Sequence, residues 1–428
     1  MAAGLFSRER IMRPEKFRDS SGKRTLHRRR VWGFLVATLF VSSFAHAADK
    51  TFDVNTSTQF LWGDDMMGQG QSVVAEYLRF NYKPQGDTID VTGYGRAWRD
   101  YTDSEIRAAG PLGRIYYLYM DYSPLENTSL RFGRQFVNFT AGSAILDGIR
   151  LDVSGLGPIG VTFAEGADVQ FSLDGTQSRL GNHFIGLNFR LENIRATQLG
   201  VSYVQRYDDW DVSRQDFGLN FRRSWAYFSP YGEIQYDRVS ADFSEALVGL
   251  DVFPTSDLML KGEFYHSYPL FDSTSIYSVF AVDSYREYLV QADYSISVPL
   301  GLMASYTRQI YGDSQEANVY TAGVNLHPVE RLNLKASVNR RTGYAGHDWG
   351  FETTGDCKVG ERLSLSAGAQ YDTYERPDDF SENYATRFWV GGRWGLRNDL
   401  SVSARLEDDV NENFTNLPVG RITVDWAL

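Results

Sequence analysis

Residues 327–371, HPVERLNLKASVNRRTGYAGHDWGFETTGDCKVGERLSLSAGAQY, decide the fold. Within Leu332–Val338 the side chains alternate. Leu332, Leu334, Ala336 and Val338 share one face, and Asn333, Lys335 and Ser337 share the other. Leu363–Tyr371 repeats the pattern, with Leu363, Leu365, Ala367, Ala369 and Tyr371 set against Ser364, Ser366, Gly368 and Gln370. A period of two with one apolar face reads as a strand, because successive Cβ atoms leave opposite sides of an extended chain. Two short clusters of turn formers, HPVER (327–331) and KVGER (358–362), flank a longer polar connection at 341–348.

The same unit recurs outward in both directions. Alternation is clear at 183–191, 288–294, 399–406 and 420–428. Short connections are expected at 83–87, 123–127, 154–158, 191–195, 253–257, 297–301 and 395–399. Longer polar ones are expected at about 63–71, 99–111, 138–146, 165–181, 206–213, 266–283, 309–316, 372–383 and 407–417. Alternation alone fits both a β-sandwich, whose apolar face meets a core, and a membrane barrel, whose apolar face meets lipid. Three features favour the barrel: no domain break from about 51 to 428, strands of about 9–11 residues, and connections that alternate short and long. The expectation is an all-β fold, a transmembrane antiparallel up-and-down β-barrel of about 22 strands (range 18–24), with 159–181 the stretch most open to a gained or lost hairpin. Short turns would be periplasmic and long loops external, and an even strand number returns both termini to the periplasm.

Composition agrees. Aromatic residues make up 14% of the 428, with 39 Gly and only 12 Pro, although the mean hydropathy of −0.36 resembles that of a soluble protein. Trp62, Tyr82, Trp98, Tyr122, Tyr203, Trp225, Tyr236, Trp394 and Trp426 sit near strand ends, where interfacial girdles would form. Residues 1–47 read as a signal peptide: Arg28–Arg30, an apolar run Val31–Phe44 too short to span a bilayer, and Ala45-His46-Ala47 before a cut at Ala48, with Met12 an alternative start. The whole chain carries −11. Removing the leader's ten basic and three acidic residues makes it more acidic still, near −18, which excludes a nucleic-acid binder. The single Cys357 has no partner for a disulfide or a zinc site. The six histidines form no HExxH, and no GxSxG occurs, so no catalytic site, metal or cofactor is expected. An outer-membrane enzyme, using His183, His266 or His347 near external loops with Asp272 or Asp348, is the weakest reading. Strands start soon after Ala48, leaving no room for the plug domain of an energised transporter.

A barrel this wide cannot be filled by its own wall side chains, so it encloses water, a loop or a partner. Alternation assigns the lumen charges. Early strands contribute Arg79, Arg96, Arg131 and Arg190. Middle strands contribute Glu233, Glu245, Asp251, Lys261, Glu263, Glu287 and Asp293, and late strands Arg387, Arg393, Arg405 and Arg421. In a closed ring the late strands meet the early ones, so a basic sector would face an acidic one across the lumen. Charges paired across strands would instead give a neutral polar lining.

The segment LRFGRQFVNFTAGSAILDGIRLDV (130–153) resembles porins of the alginate-export type, and LGPIGVTF (156–163) is similar to the channel barrels of porin–cytochrome conduits. The resemblance covers roughly 35 residues. It implies lumen or constriction roles for Arg131, Arg134, Gln135 and Asp147, although strict alternation places Arg134 on the apolar face. Two functions follow as expectations: an outer-membrane channel for ions or small polar solutes, or a barrel sheathing a multihaem cytochrome for electron transfer. The expected partners are outer-membrane lipid, lipopolysaccharide and the barrel assembly machinery, which would read the terminal Trp426-Ala427-Leu428; a homo-oligomer stays open.

Overall fold

The computed structural model describes residues 52–64, 70–84, 88–101, 112–172, 175–192, 194–268, 284–344, 346–375, 382–412 and 416–428. The leader expected at 1–47 lies outside these residues, as do much of the connections expected at 63–71, 99–111, 266–283, 372–383 and 407–417.

The described residues form 22 strands. The first half comprises β1 (Phe52–Asp64), β2 (Gly70–Tyr82), β3 (Ile89–Asp100), β4 (Leu112–Leu125), β5 (Thr128–Phe139), β6 (Gly142–Leu156), β7 (Ile159–Ser172), β8 (Gly175–Leu191), β9 (Thr197–Asp208), β10 (Asp211–Arg223) and β11 (Phe228–Asp237). The second half comprises β12 (Asp242–Thr255), β13 (Leu258–Ser267), β14 (Tyr285–Ser297), β15 (Leu300–Tyr311), β16 (Glu316–Val329), β17 (Leu332–Gly343), β18 (Asp348–Val359), β19 (Leu363–Glu375), β20 (Glu382–Gly395), β21 (Leu400–Asn411) and β22 (Leu417–Ala427). Each strand pairs antiparallel with its neighbour in sequence, and β1 pairs with β22 from Asn55↔Ala427 to Gly63↔Val419, closing the ring. Closure pairs β1 with β22 and leaves the sheet without a terminal edge strand, a condition for spanning lipid.

The strand number matches the expectation; most of the lengths exceed it. Strands run from 10 residues in β11 to 17 in β8, because many continue into segments whose polarity resembles loop. The connection expected at 206–213 is only the turn Asp209–Trp210, both residues at positive φ. Two connections carry little composition signal, 224–227 and 238–241. At the second, Asp237 supplies the turn chemistry: its carboxylate accepts from the backbone N–H of Gln215, Val239 and Ser240.

The outward face is apolar and exposed. Val201, Phe217, Val290, Phe388, Val390 and Leu406 lie on it, none less than 47% accessible. A continuous band of this kind is far larger than the apolar patches of water-soluble monomers and matches the lipid-facing band of a membrane barrel. Tyr82, Tyr122, Trp225 and Trp394 are exposed too, as a girdle requires. Trp98 departs from that expectation. It lines an internal cavity under the Arg96 guanidinium, 4.1 Å from the ring centroid.

One hairpin leaves the wall. β5 pairs with β4 only from Leu118↔Arg134 to Leu125↔Thr128, and β6 with β7 only from Leu146↔Asp168 to Leu156↔Ile159. Beyond those pairs β5 and β6 bond to each other alone and turn at Thr140–Ala141. The departure coincides with a row of glycines, Gly133↔Gly148↔Gly166, on three adjacent strands. Gly133 has φ +116°. A Cβ on Gly148 would overlap the Glu165 carbonyl and Gly166, and one on Gly166 would lie 2.6 Å from the Asp147 carbonyl oxygen. The sheet creases where three backbones approach with no Cβ between them.

The creased hairpin docks on the inner wall. The Ala141 N–H donates to Ser202 Oγ at 2.8 Å, and Thr140 Oγ1 to Asn220 Oδ1 at 3.1 Å. Val137, Phe139, Ala141, Ala144 and Leu146 pack against Ala164, Phe184 and Val204 as one buried apolar cluster. These residues therefore do not form the long external loop expected at 138–146. Apolar alternation continues through them and carries the chain inward as strand.

Candidate functional site

Register fixes which side chains share the lumen. Ser57 on β1 faces Tyr77 on β2, which faces Arg96 on β3, which faces Arg114 on β4. In the other direction Ser57 faces Asp425 on β22, and Leu61 faces Arg421. Closure of the ring thus places early and late strands side by side around a cavity of about 1500 Å³. Arg79, Arg96, Arg114, Arg393, Arg397 and Arg421 line it, against Asp100, Asp399 and Asp425 among the described residues. Tyr77, Tyr94, Trp98 and Trp426 supply its aromatic surface. The cavity runs from the short turn at Arg397–Asp399 to the opposite ends of β3 and β4 at Asp100 and Leu112.

The arginines are held in different ways. Arg397 pairs with Asp399 at 2.9 Å and Arg393 with Asp425 at 3.6 Å. Arg96 stacks on Trp98 and donates to the Tyr77 hydroxyl at 3.3 Å. Arg79 and Arg421 form no ion pair with another described residue. Six guanidinium groups against three carboxylates leave the cavity positive, and its low-dielectric walls strengthen the field. Arg114 and Arg397 are absent from the sequence assignment. Arg114 follows a long connection, and an extra residue in β4 shifts the register between Tyr94 and Gly95, so alternation counted through that point fails. Arg397 belongs to a turn, where alternation assigns no face.

Several other assigned charges are paired locally. Arg131 holds Asp121 through two bonds of 2.7 and 2.9 Å, with its guanidinium 3.8 Å from the Tyr119 ring centroid. Arg190 bonds Glu192 at 2.9 Å and Thr162 at 2.6 Å. Arg387 clasps Asp409 at 2.6 and 2.9 Å, and Arg405 bonds Glu407 at 2.8 Å. On the middle strands, Asp251 lies 3.7 Å from Arg222, and Lys261 binds Glu263 at 2.9 Å. Glu233, Glu245, Glu287 and Asp293 have no basic partner within ion-pair distance among the described residues. Glu245 accepts from Gln235, Glu287 from Tyr285 and Gln309, and Asp293 from Gln291.

The crease resolves the position of Arg134. In the wall, Phe132 faces lipid and Arg131 faces the lumen. Past Gly133 the former lumen face, Gln135, Val137 and Phe139, is buried against β8 and β9, so the former lipid face looks into the lumen. Arg134 and Asp147 sit there as a bidentate pair at 2.7 Å in both bonds, with Phe136 exposed beside them. Arg134 also donates to the Ile115 carbonyl of β4, at the level where β5 has left its partner. Gln135 is fully buried, its amide donating to the Gly148 carbonyl at 3.3 Å. Arg206 on β9, missed by the sequence reading, reaches the Ser143 carbonyl and Asp168 and fastens the hairpin to the wall. Of the histidines, His183 lies with Nδ1 3.1 Å from the Gly166 carbonyl and its ring beside Trp210. No group of His, Cys, Asp and Glu side chains among the described residues is arranged to hold a metal.

No protein-family model matches the chain, and no curated protein does. Solved structures do. The siderophore receptor PirA from Pseudomonas aeruginosa aligns with a TM-score of 0.59 at 10% identity, covering 89% of this chain and 80% of that one. The outer-membrane protein opdK of the same organism aligns at 0.44 and 9% identity, covering 88% and 98%. OccAB3 from Acinetobacter baumannii aligns at 0.45 and 8%, also covering 88% and 98%. At these identities the likeness is one of fold. A closed 22-stranded antiparallel ring with an apolar exterior and a charged interior defines the class: a transmembrane β-barrel of the bacterial outer-membrane type.

Proposed function

We propose that the chain is an outer-membrane channel of the porin kind, passing ions or small polar solutes through a charged aqueous lumen. Its short turns and termini would lie on the periplasmic side. The observation that carries the reading is the positive, arginine-lined cavity at the β1–β22 closure, half a ring away from the acids of β11–β14 that have no basic partner among the described residues. Such a transverse field orients a charged or dipolar solute as it crosses. Arg79 and Arg421 are the selecting groups in this reading, because neither forms an ion pair with a described residue. The purified protein in a planar bilayer should give steady ohmic openings; silence would count against the reading.

The second reading, a sheath around a multihaem cytochrome, is less well supported. A ring of 22 strands about 4.8 Å apart and tilted by about 40° is roughly 44 Å across its backbone. The β5–β6 hairpin takes part of that bore and fixes itself to the wall, which suits a narrowed water path better than a protein core. The local resemblance of 130–153 to alginate-export porins falls on this same hairpin, in keeping with a constriction built from Arg134, Gln135 and Asp147.

A further inference from the structure

On β14–β17 the outer surface carries charge where the lipid-facing pattern would not place it. The face that holds Val290 and Leu302 continues, toward the long-connection end, into Arg286 on β14, Arg308 on β15 and Arg340 on β17, all exposed. Register makes them neighbours. Arg286 faces Ile310, two residues beyond Arg308 on the same face of β15. Arg340 faces Tyr320, which faces Tyr306, two residues before Arg308. Arg286 and Arg308 are therefore diagonal neighbours, about 7–8 Å apart at Cα, and Arg340 lies two strands further round. Tyr288 and Tyr306, one step below Arg286 and Arg308, and Tyr320, beside Arg340, are exposed, and the apolar band follows.

The three arginines differ in how far they are compensated. Arg308 binds Glu316 on the same face at 2.6 and 3.1 Å. Arg340 lies against Trp349, 5.0 Å from the ring centroid. Arg286 has no ion pair with a described residue. Among the described residues the patch is thus net positive; it lies outside the lumen and merges with apolar surface at its lower edge.

We infer that this patch binds the phosphorylated glucosamine headgroup of lipid A, with Arg286 and Arg340 on phosphate and the acyl chains against the tyrosines and the band below. The inference rests on the proposed orientation, in which the long-connection end faces outward. It commits to an amphiphile because the charge is continuous with lipid-facing surface; a free phosphate would leave that continuity unused. Planar guanidinium groups suit phosphate through paired hydrogen bonds.

The test compares wild type with the triple variant Arg286→Ala, Arg308→Ala, Arg340→Ala, and with Arg286→Ala alone. Lipid A retained through detergent purification is measured by native mass spectrometry. Thermal unfolding is followed by the gel mobility of unheated and heated samples in phosphatidylethanolamine vesicles containing lipid A, dephosphorylated lipid A or phosphatidylglycerol. Loss of charged hydrogen bonds should cut retention on the order of tenfold or more in the triple variant and by less in the single. Lipid A alone of the three additives should raise the wild-type unfolding temperature. Unchanged retention overturns the inference, as does equal stabilisation by phosphatidylglycerol, by dephosphorylated lipid A or by inorganic phosphate in solution. If the triple variant fails to assemble, the Arg286→Ala result decides. Bilayer conductance of the same variants should match wild type, since none of the three residues faces the lumen. A conducting variant that keeps its lipid A therefore disproves this site and leaves the channel reading intact.

Discussion

Arg79 and Arg131 were indistinguishable by alternation, yet their surroundings differ. Arg131 is locked to Asp121 and shielded by Tyr119, whereas Arg79 faces the cavity without a described carboxylate partner. Arg79→Glu and Arg421→Glu, singly and together, should move the reversal potential in a salt gradient toward cation selectivity, with the double variant showing the larger shift. No shift in either would remove the arginine cavity from the permeation path. Arg131→Ala should act on stability: it leaves Asp121 unpaired in a half-buried position, at a cost of about 1–2 kcal/mol after discounting for solvent screening. Its heat-modified mobility should appear at lower temperature, while selectivity changes less than for Arg421→Glu. Sequence places a charged side chain on a face, but its partner comes from strand register, which a single bulge can shift. That is why Arg79, Arg96, Arg393 and Arg421 could be assigned to one sector in advance while Arg114 could not.

Strands were legible wherever one face was apolar and the other polar, as at Leu332–Val338. The β5–β6 hairpin obeyed the same alternation and still defeated its reading as wall followed by loop. A crease requires three glycines from three strands to fall in one row, and their distance from one another along the chain hides the row until register is known. The hairpin's docking depends on its apolar cluster. Phe184→Ala removes the ring stacked on Phe139, whose centroid is 6.4 Å away, and a buried Phe→Ala change costs about 3–5 kcal/mol. The hairpin should loosen, with larger and noisier single-channel currents; currents identical to wild type would mean that it does not narrow the path. Gly148→Val should be harsher, since its side chain would overlap the Glu165 backbone. The expected outcome is a barrel that assembles poorly, read as loss of the heat-modifiable band.

At the scale of the whole molecule, closure between β1 and β22 gathers the arginines of early and late strands into one sector. Arg79 and Arg421 are far apart in sequence and line one cavity only because the ring is complete. Ion selectivity produced by that cavity should weaken with salt, because the screening length falls from about 10 Å at 0.1 M to about 3 Å at 1 M. Permeability ratios measured across that range should converge toward those of the bulk ions, and a ratio independent of salt would point to steric selection instead. The strand count and the polarity of both faces were legible in the sequence because they follow from local alternation and strand length. The bore was not, because it depends on whether a segment stays in the wall. Here the row Gly133, Gly148 and Gly166 acts as a depth gauge. An extended chain advances about 3.3 Å per residue, so moving the row by two positions, which preserves the faces, would move the narrowing by about 7 Å along the strands. In the channel we propose, three one-atom side chains would set how far along the wall a solute travels before it reaches the creased hairpin, and a relocated row would be a means of resetting that distance without altering a single charge.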